Sequence, residues 1–389
     1  MTYAHRNDIF DADTHMMERA DWLYEFADKS IREKLEPIAE GKKDVLELIE
    51  KAIQKFKKRK ISSIEMEQAK SDFMTWKHKG WDGLGAFDGK ERKIANDLLG
   101  FKGHLVFPTS AFDQALAAKD NSVILGGVKA LNRGMAAFCS EDKRMFGVAY
   151  VPFAFGPEVA IELLSELVKN NFSTILIDTI APKNCKAFTH PDFDVVWSFI
   201  QENNLTITLH VGADNSWDPV PLSFYNNGSQ VPPHKEGDAP RDALAYMGIS
   251  YNAELFLASM IFDGVLQRFP NLRIGIIELG ASWILSWMKH LDQSYKAFRR
   301  LQDLSQVKLL PSEYVLKHMK ITPFPGEDIG WLLNSGTEDL LMFASDYPHH
   351  EGTDDPITRY ENTMNGVSEK KKSKFYSENF IQLMDINTP

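Results

Sequence analysis

The sequence predicts a single α/β domain, a (β/α)8 TIM barrel, and three observations favour this fold class. Short apolar runs alternate with helical patterns about eight times along the 389 residues, which is typical of a parallel sheet with helical crossovers. Barrels of this kind reach this length once loops are inserted. No glycine-rich phosphate turn follows the first apolar run, Ile9-Phe10, although an open doubly wound sheet usually carries one there.

The predicted strands are short and mostly apolar or β-branched. They span residues 9–13, 104–108, 145–151, 174–177, 205–210, 272–277, 318–322 and 339–344. Helical spacing of apolar residues predicts helices between them, including 42–60, 251–269, 283–298 and 326–333. Residues 16–100 read as a largely helical insertion after the first strand, which begins with a helix from Trp22 toward Leu35. We expect this insertion to cap the site partly and to belong to one domain that spans residues 1–389.

The composition excludes several classes of protein. The net charge of -10 argues against general nucleic-acid binding, which needs a basic surface. Cys139 and Cys185 lie far apart, so neither a disulfide framework nor a cysteine zinc site is predicted. The sequence shows no signal peptide and no apolar run long enough for a membrane helix. We therefore expect a cytoplasmic protein that binds a small molecule and has no nucleic-acid or membrane partner. A homodimer is expected only because such assemblies are common among soluble enzymes.

Polar residues recur where the predicted strands end. Asp13 and His15 stand two residues apart, and residues at this spacing in a strand point to the same face. His210, Glu278 and Asp346 end three further strands. Because barrel active sites lie at the carboxyl ends of the strands, these side chains are expected to converge on a divalent cation. For any single residue, a helix cap or strand-end cap is the alternative interpretation.

The chain resembles the amidohydrolase-related family through motifs spread over most of its length. The matching segments are residues 11–18, 105–109, 132–133, 144–149, 209–212, 269–273, 278–283 and 344–349. The resemblance implies one divalent metal ion, zinc or manganese, held by Asp13, His15, His210 and Asp346. Two positions depart from better-known members: Asp13 replaces a His or Glu ligand, and Glu278 stands where several members have a catalytic His. Glu278 is then an acid–base group or a further ligand.

Several other residues are candidates for substrate contact or for a structural role near the site. His349, more than His350, is a candidate to contact substrate, with loop packing as the alternative. Trp217 and His234, together with Asp214, lie on a long loop suited to substrate recognition. Glu18 is interpreted as a cap of the following helix, with a role in the site as the alternative. His104 begins a strand at the opposite end and is not expected to be a ligand.

Two reactions are compatible with these residues. A metal ion lowers the pKa of a bound water and polarises substrate oxygens, and Asp346 then moves a proton in either hydrolysis or decarboxylation. The substrate class implied is a small carboxylated molecule, aromatic or unsaturated. The alternative is a metal-binding or partner-binding protein on the same barrel that has lost catalysis, and Glu278 keeps this alternative open.

Overall fold

The computed structural model describes residues 2–38, 43–212, 220–228, 240–350 and 352–386. The chain divides into two compact units, residues 1–150 with 343–362 and residues 151–342 with 363–389. The expectation of one domain over the whole chain therefore stays a prediction.

The first unit is built on three parallel strands: β1 (Phe10–His15), β2 (Gly103–Phe107) and β3 (Met145–Val151). β1 pairs with β2 and β2 with β3, and every residue of β1 and β2 is buried. Strands covered on both faces are nearly continuous in apolar residues, so the three ionisable side chains of β1, Asp11, Asp13 and His15, stand out. The register of β1 against β2 shifts between Asp11 and Thr14.

The helices of the first unit lie mostly in the segment between β1 and β2. They are α1 (Trp22–Phe26), α2 (Lys29–Arg32), α3 (Lys43–Ile61), α4 (Ser63–Phe73), α5 (Gly89–Leu99), α6 (Ser110–Leu116), α7 (Asn121–Cys139) and later α16 (Pro356–Thr363). The predicted helix from Trp22 toward Leu35 is two short helices instead of one. Arg59 of α3 forms a buried two-point ion pair with Glu91 of α5, at 2.7 and 2.9 Å, which joins two helices of this segment.

The second unit contains four parallel strands in sequential order. They are β4 (Thr174–Ile177), β5 (Thr206–His210), β6 (Arg273–Ile277) and β7 (Met319–Ile321). Its helices are α8 (Pro157–Lys169), α9 (Asp194–Glu202), α10 (Ala243–Gly248), α11 (Tyr251–Phe262), α12 (Val265–Arg268), α13 (Ile284–Phe298), α14 (Pro311–His318), α15 (Ile329–Leu332), α17 (Glu369–Ser373) and α18 (Asn379–Met384). The helix predicted over residues 251–269 breaks at Gly264, whose φ is +74°.

The prediction of a regular eighth strand over residues 339–344 is wrong. Within the second unit this segment forms only an isolated bridge between Leu341 and Ile321, and the Met342 amide donates to the Ile321 carbonyl. Within the first unit the Ala12 amide donates to the Phe343 carbonyl. The chain then turns at Asp346, whose φ of +56° is outside the range of a strand. Residues 339 and 340 lie in a turn, and residues 342–344 form no regular strand.

Candidate metal centre

The pair Asp13 and His15 lies at the end of β1 with both side chains buried. Their exposed fractions are 1% and 0%, and His15 Nε2 lies 3.2 Å from Asp13 Oδ1. The prediction that the two side chains reach a common point is confirmed, because the two-residue period of a strand places them on one face.

Asp346 joins this pair from the segment that lies beside β1. Its amide donates to the Asp13 carbonyl at 2.9 Å, which brings its carboxyl group close to the end of β1. Asp346 Oδ1 lies 3.6 Å from His15 Nε2. A non-glycine residue with φ of +56° is strained, and such strain concentrates at functional sites.

His349 completes the group in the first unit. Its Nδ1 lies 3.0 Å from Asp346 Oδ1, and its ring stacks on that of His15 with centroids 3.7 Å apart. One ligand atom from each of His15, Asp346 and His349 lies within 4.8 Å of the other two. The sequence predicted His349 as a substrate contact, and the structure places it against Asp346 and His15.

These residues fit a divalent cation by their chemistry. Asp13 and Asp346 are buried carboxylates that both approach one nitrogen of His15, and buried carboxylates need a compensating charge. Carboxylate oxygens with imidazole nitrogens suit zinc and manganese. The prediction that the chain can hold one divalent metal ion is confirmed, since ligand atoms of His15, Asp346 and His349 lie close enough together to share one.

His210 and Glu278 form a second pair, in the second unit. His210 ends β5 and Glu278 follows β6, and His210 Nε2 lies 3.4 Å from Glu278 Oε2. His210 Nδ1 lies 2.8 Å from the Val211 carbonyl. A carbonyl only accepts, so Nδ1 carries the proton and Nε2 has the lone pair that a ligand needs. Glu278 has a φ of +54°, and its amide donates to the Thr322 hydroxyl at 2.9 Å.

Asp11 and Arg92 support the end of β1, and the sequence analysis gave neither of them a role. Asp11 Oδ1 accepts from the amides of Asp13 and Ser345 at 3.1 and 3.0 Å, while complete burial raises its pKa to about 8. Arg92 is fully buried and donates to the His15 carbonyl and, at 2.9 Å, to the Gly85 carbonyl. The spacing of two residues between Asp11 and Asp13 was the available signal for its location.

Glu18 caps a helix, as the preferred interpretation predicted. The prediction of which helix it caps is wrong. Its carboxylate accepts from the amides of Thr109, Ser110 and Ala111 at 2.9, 2.8 and 3.2 Å. These amides open α6, which lies about 90 residues later in the chain, and not the helix that follows Glu18. Burial raises the Glu18 pKa to about 7.

The remaining candidates fall into two groups. Asp214, Trp217 and His234 lie outside the described residues. His104 is buried, and burial lowers its pKa to about 3. That His104 is not a ligand stays a prediction.

The sequence model of a family described as amidohydrolase matches residues 107–381, more than half of the chain. No curated protein sequence matches significantly. No helix among the described residues is long and apolar enough to cross a membrane.

Several solved structures share the fold over nearly the whole chain. An amidohydrolase from Mycobacterium avium subsp. paratuberculosis has a TM-score of 0.72 and 16% sequence identity, over 99% of each chain. A 5-carboxyvanillate decarboxylase from Novosphingobium aromaticivorans, bound to manganese and 3-methoxy-4-hydroxy-5-nitrobenzoic acid, has a TM-score of 0.64 and 17% identity, over 99% of this chain and 100% of its own. A dihydroxybenzoic acid decarboxylase from Polaromonas sp., bound to manganese and the inhibitor 2-nitroresorcinol, has a TM-score of 0.63 and 17% identity, over 99% and 98%. The predicted fold class is confirmed by these likenesses.

Proposed function

Because the chain belongs to the amidohydrolase family, we propose that it is a metal-dependent carboxy-lyase that releases CO2 from a small hydroxylated aromatic acid. Family membership and the donor group of His15, Asp346 and His349 indicate a metal-dependent enzyme. The observation that carries the proposal is the buried contact of Asp346 with both His15 and His349. This contact places Asp346, the candidate acid–base group, next to His15, a candidate metal ligand.

We propose manganese before zinc as the ion, with Asp13, His15 and Asp346 as ligands in the first unit. Carboxylate-rich sites favour the harder ion, and two decarboxylases of this fold are bound to manganese. His210 as a further ligand and Glu278 as a catalytic group stay predictions, which the resemblance supports. The lone pair on His210 Nε2 suits that role. When bound, the ion would act as a Lewis acid that holds the oxygens of the substrate.

The protein's own part in the reaction is a proton transfer at Asp346. Its carboxyl group would give a proton to the ring carbon that bears the carboxylate. The electron pair of the breaking C–C bond then restores the aromatic ring as CO2 leaves. Asp346 regains a proton from water, so the net change is one proton consumed and one CO2 released. His349, 3.0 Å away, would hold the Asp346 carboxyl group in place through the transfer.

Hydrolysis of an acyl C–N or C–O bond is the second candidate. The relative from Mycobacterium avium subsp. paratuberculosis is itself described as an amidohydrolase, and the same donors serve that reaction. A protein that has lost catalysis remains the third possibility. The cytoplasmic location and the homodimer expected from the sequence stay predictions.

The test combines metal analysis with a substrate panel. Purified protein is loaded with manganese, dialysed and assayed for CO2 release from hydroxybenzoates, and for hydrolysis of the matching amides and esters. We expect about one manganese per chain and CO2 release, with Asp13→Asn and His15→Gln losing the metal. Asp8→Asn, a carboxylate-to-amide change at a half-exposed residue paired with Arg6, is the matched control and should keep both properties.

Asp346→Asn tests the proton transfer. Asparagine tolerates a positive φ, so the fold should persist, while turnover should fall by about a hundredfold or more. His210→Gln tests whether that side chain is a ligand, through the metal content. Release of amine or alcohol without CO2 would replace the proposal by hydrolysis. No turnover on either panel at full metal content would favour the binding protein.

A further inference from the structure

Thr109 occupies a capping position that it does not use for capping. It directly precedes α6 (Ser110–Leu116), where a threonine hydroxyl normally accepts from an amide of the first turn. Its side chain makes no such bond. Glu18 takes over, since one carboxylate oxygen accepts from the Thr109 amide and the other from those of Ser110 and Ala111. The Thr109 hydroxyl is thereby available for another contact.

That hydroxyl lies between the two stacked histidines of the candidate metal centre. Thr109 Oγ1 is 3.2 Å from His15 Nδ1 and 2.9 Å from His349 Nε2. The opposite nitrogens face the carboxylates: His15 Nε2 lies 3.2 Å from Asp13, and His349 Nδ1 lies 3.0 Å from Asp346. Both rings are buried, with exposed fractions of 0% and 2%.

Counting protons makes the roles of the two rings dependent on each other. A hydroxyl has one proton to donate and lone pairs that accept. The two rings are the hydrogen-bond partners of Thr109 Oγ1, so its proton finds an acceptor only if one neutral ring accepts from Thr109 while the other donates to it. If His15 binds the ion through Nε2, its proton must sit on Nδ1 and point at Thr109 Oγ1. The Thr109 proton then points at His349 Nε2, which places the His349 proton on Nδ1, the nitrogen that lies 3.0 Å from Asp346 Oδ1.

We propose that Thr109 is a positioning residue whose single hydroxyl assigns His15 as a metal ligand through Nε2 and places the His349 proton on Nδ1, the ring nitrogen nearest Asp346. The assignment of His15 rests on the proposed function. The dependence between the two rings rests on the contacts of Thr109 alone. Of the three side chains close enough to share an ion, His349 is then excluded as a ligand through Nδ1, because that nitrogen carries a proton.

The proposal predicts what each substitution of Thr109 does. Thr109→Val keeps the branched shape but removes the hydroxyl, so His349 Nε2 loses its donor. Thr109→Ser keeps the hydroxyl and is the matched control. Loss of a group that orients a metal-binding histidine typically weakens metal binding by about 10- to 100-fold, so Thr109→Val should fall in that range and Thr109→Ser should stay near wild type.

The experiment reads the ring tautomers directly. Protein labelled with 15N-histidine is studied by long-range 1H–15N spectra, metal-free and loaded with diamagnetic zinc, and the signals are assigned with His15→Gln and His349→Gln. Zinc-loaded wild type and Thr109→Ser should show the proton on Nδ1 of both His15 and His349. Thr109→Val should shift His349 toward the Nε2 proton and weaken zinc binding, measured by competition with a chelator.

Two results would overturn the proposal: a His349 proton on Nε2 in zinc-loaded wild type, or unchanged tautomers and zinc affinity in Thr109→Val. The wild-type spectra decide the first point even if a variant fails to fold. Failure of the proposed function is separate, because it would show as unchanged zinc binding in His15→Gln for the ligand assignment, or as absence of CO2 release for the reaction. In that case metal-free wild type should still show one ring donating to Thr109 and the other accepting from it.

Discussion

Asp11→Asn tests how strongly burial raises the pKa of the carboxyl group that precedes Asp13 and His15 in β1. Asp11 is fully buried, which raises its pKa from 3.8 to about 8, although the amides of Asp13 and Ser345 and the Ser345 side chain lower it. Asparagine has nearly the same shape and keeps an acceptor for the two amides. It cannot ionise, so the difference between the two proteins isolates the titration of Asp11.

The sign follows from the raised pKa of an acid. Below pH 3.8 the group is protonated in both the folded and the unfolded chain, and its contribution to stability is complete. As the pH rises, the unfolded chain loses this proton while the folded chain keeps it up to about pH 8. Each pH unit in this window costs the wild type about 1.4 kcal/mol relative to Asp11→Asn. From pH 5 to pH 7 the cost is therefore about 3 kcal/mol.

The assay is urea unfolding of both proteins at several pH values between 5 and 7, with chelator present so that metal binding does not contribute. We expect the stability of Asp11→Asn minus that of wild type to rise across this range. A difference that stays constant with pH would refute the reasoning. It would show that Asp11 is ionised in the folded protein and that its two amide donors outweigh burial.

Asp142→Asn is the matched control, because the pKa of Asp142 is shifted in the opposite direction to that of Asp11. Burial would raise the Asp142 pKa, but hydrogen bonds, chiefly from Arg144, outweigh it and lower the pKa to about 2. Asp142 is then ionised in both states from pH 5 to 7. The stability difference between Asp142→Asn and wild type should be independent of pH over that range.

Two further predictions concern buried carboxylates of the first unit. Glu18→Gln replaces one of the two accepting oxygens by an NH2 group that faces N–H donors. It should therefore lower the free energy of unfolding by about 1–3 kcal/mol. Thermal and urea unfolding measure this change, and an unchanged free energy of unfolding would contradict the capping role. Arg59→Met leaves the buried Glu91 without its cation and should cost about 3–5 kcal/mol. In a double-mutant cycle, Arg59→Met with Glu91→Met should cost less than the sum of the single changes, and additivity would contradict the coupling.

Local patterns were enough for most regular elements. The predicted bounds of β3 and β4 match the structure, because strand composition acts over a few residues. The predicted helix over 251–269 is interrupted at Gly264, and residues 339 and 340 of the predicted eighth strand lie in a turn. Both failures depend on backbone conformations that apolar spacing does not encode.

The sequence by itself indicated that the side chains of Asp13 and His15 lie together, because a strand places residues two apart on one face. It also marked Asp346, His210 and Glu278 as strand-end residues. Only the tertiary structure decided that His349 stacks on His15, that Glu18 caps α6, and that Thr109 contacts both rings. These partners are separated by about 90 to 330 residues, and neither periodicity nor propensity carries information over that distance. Their contacts follow from the packing of β1 and β2 with the segment after residue 343.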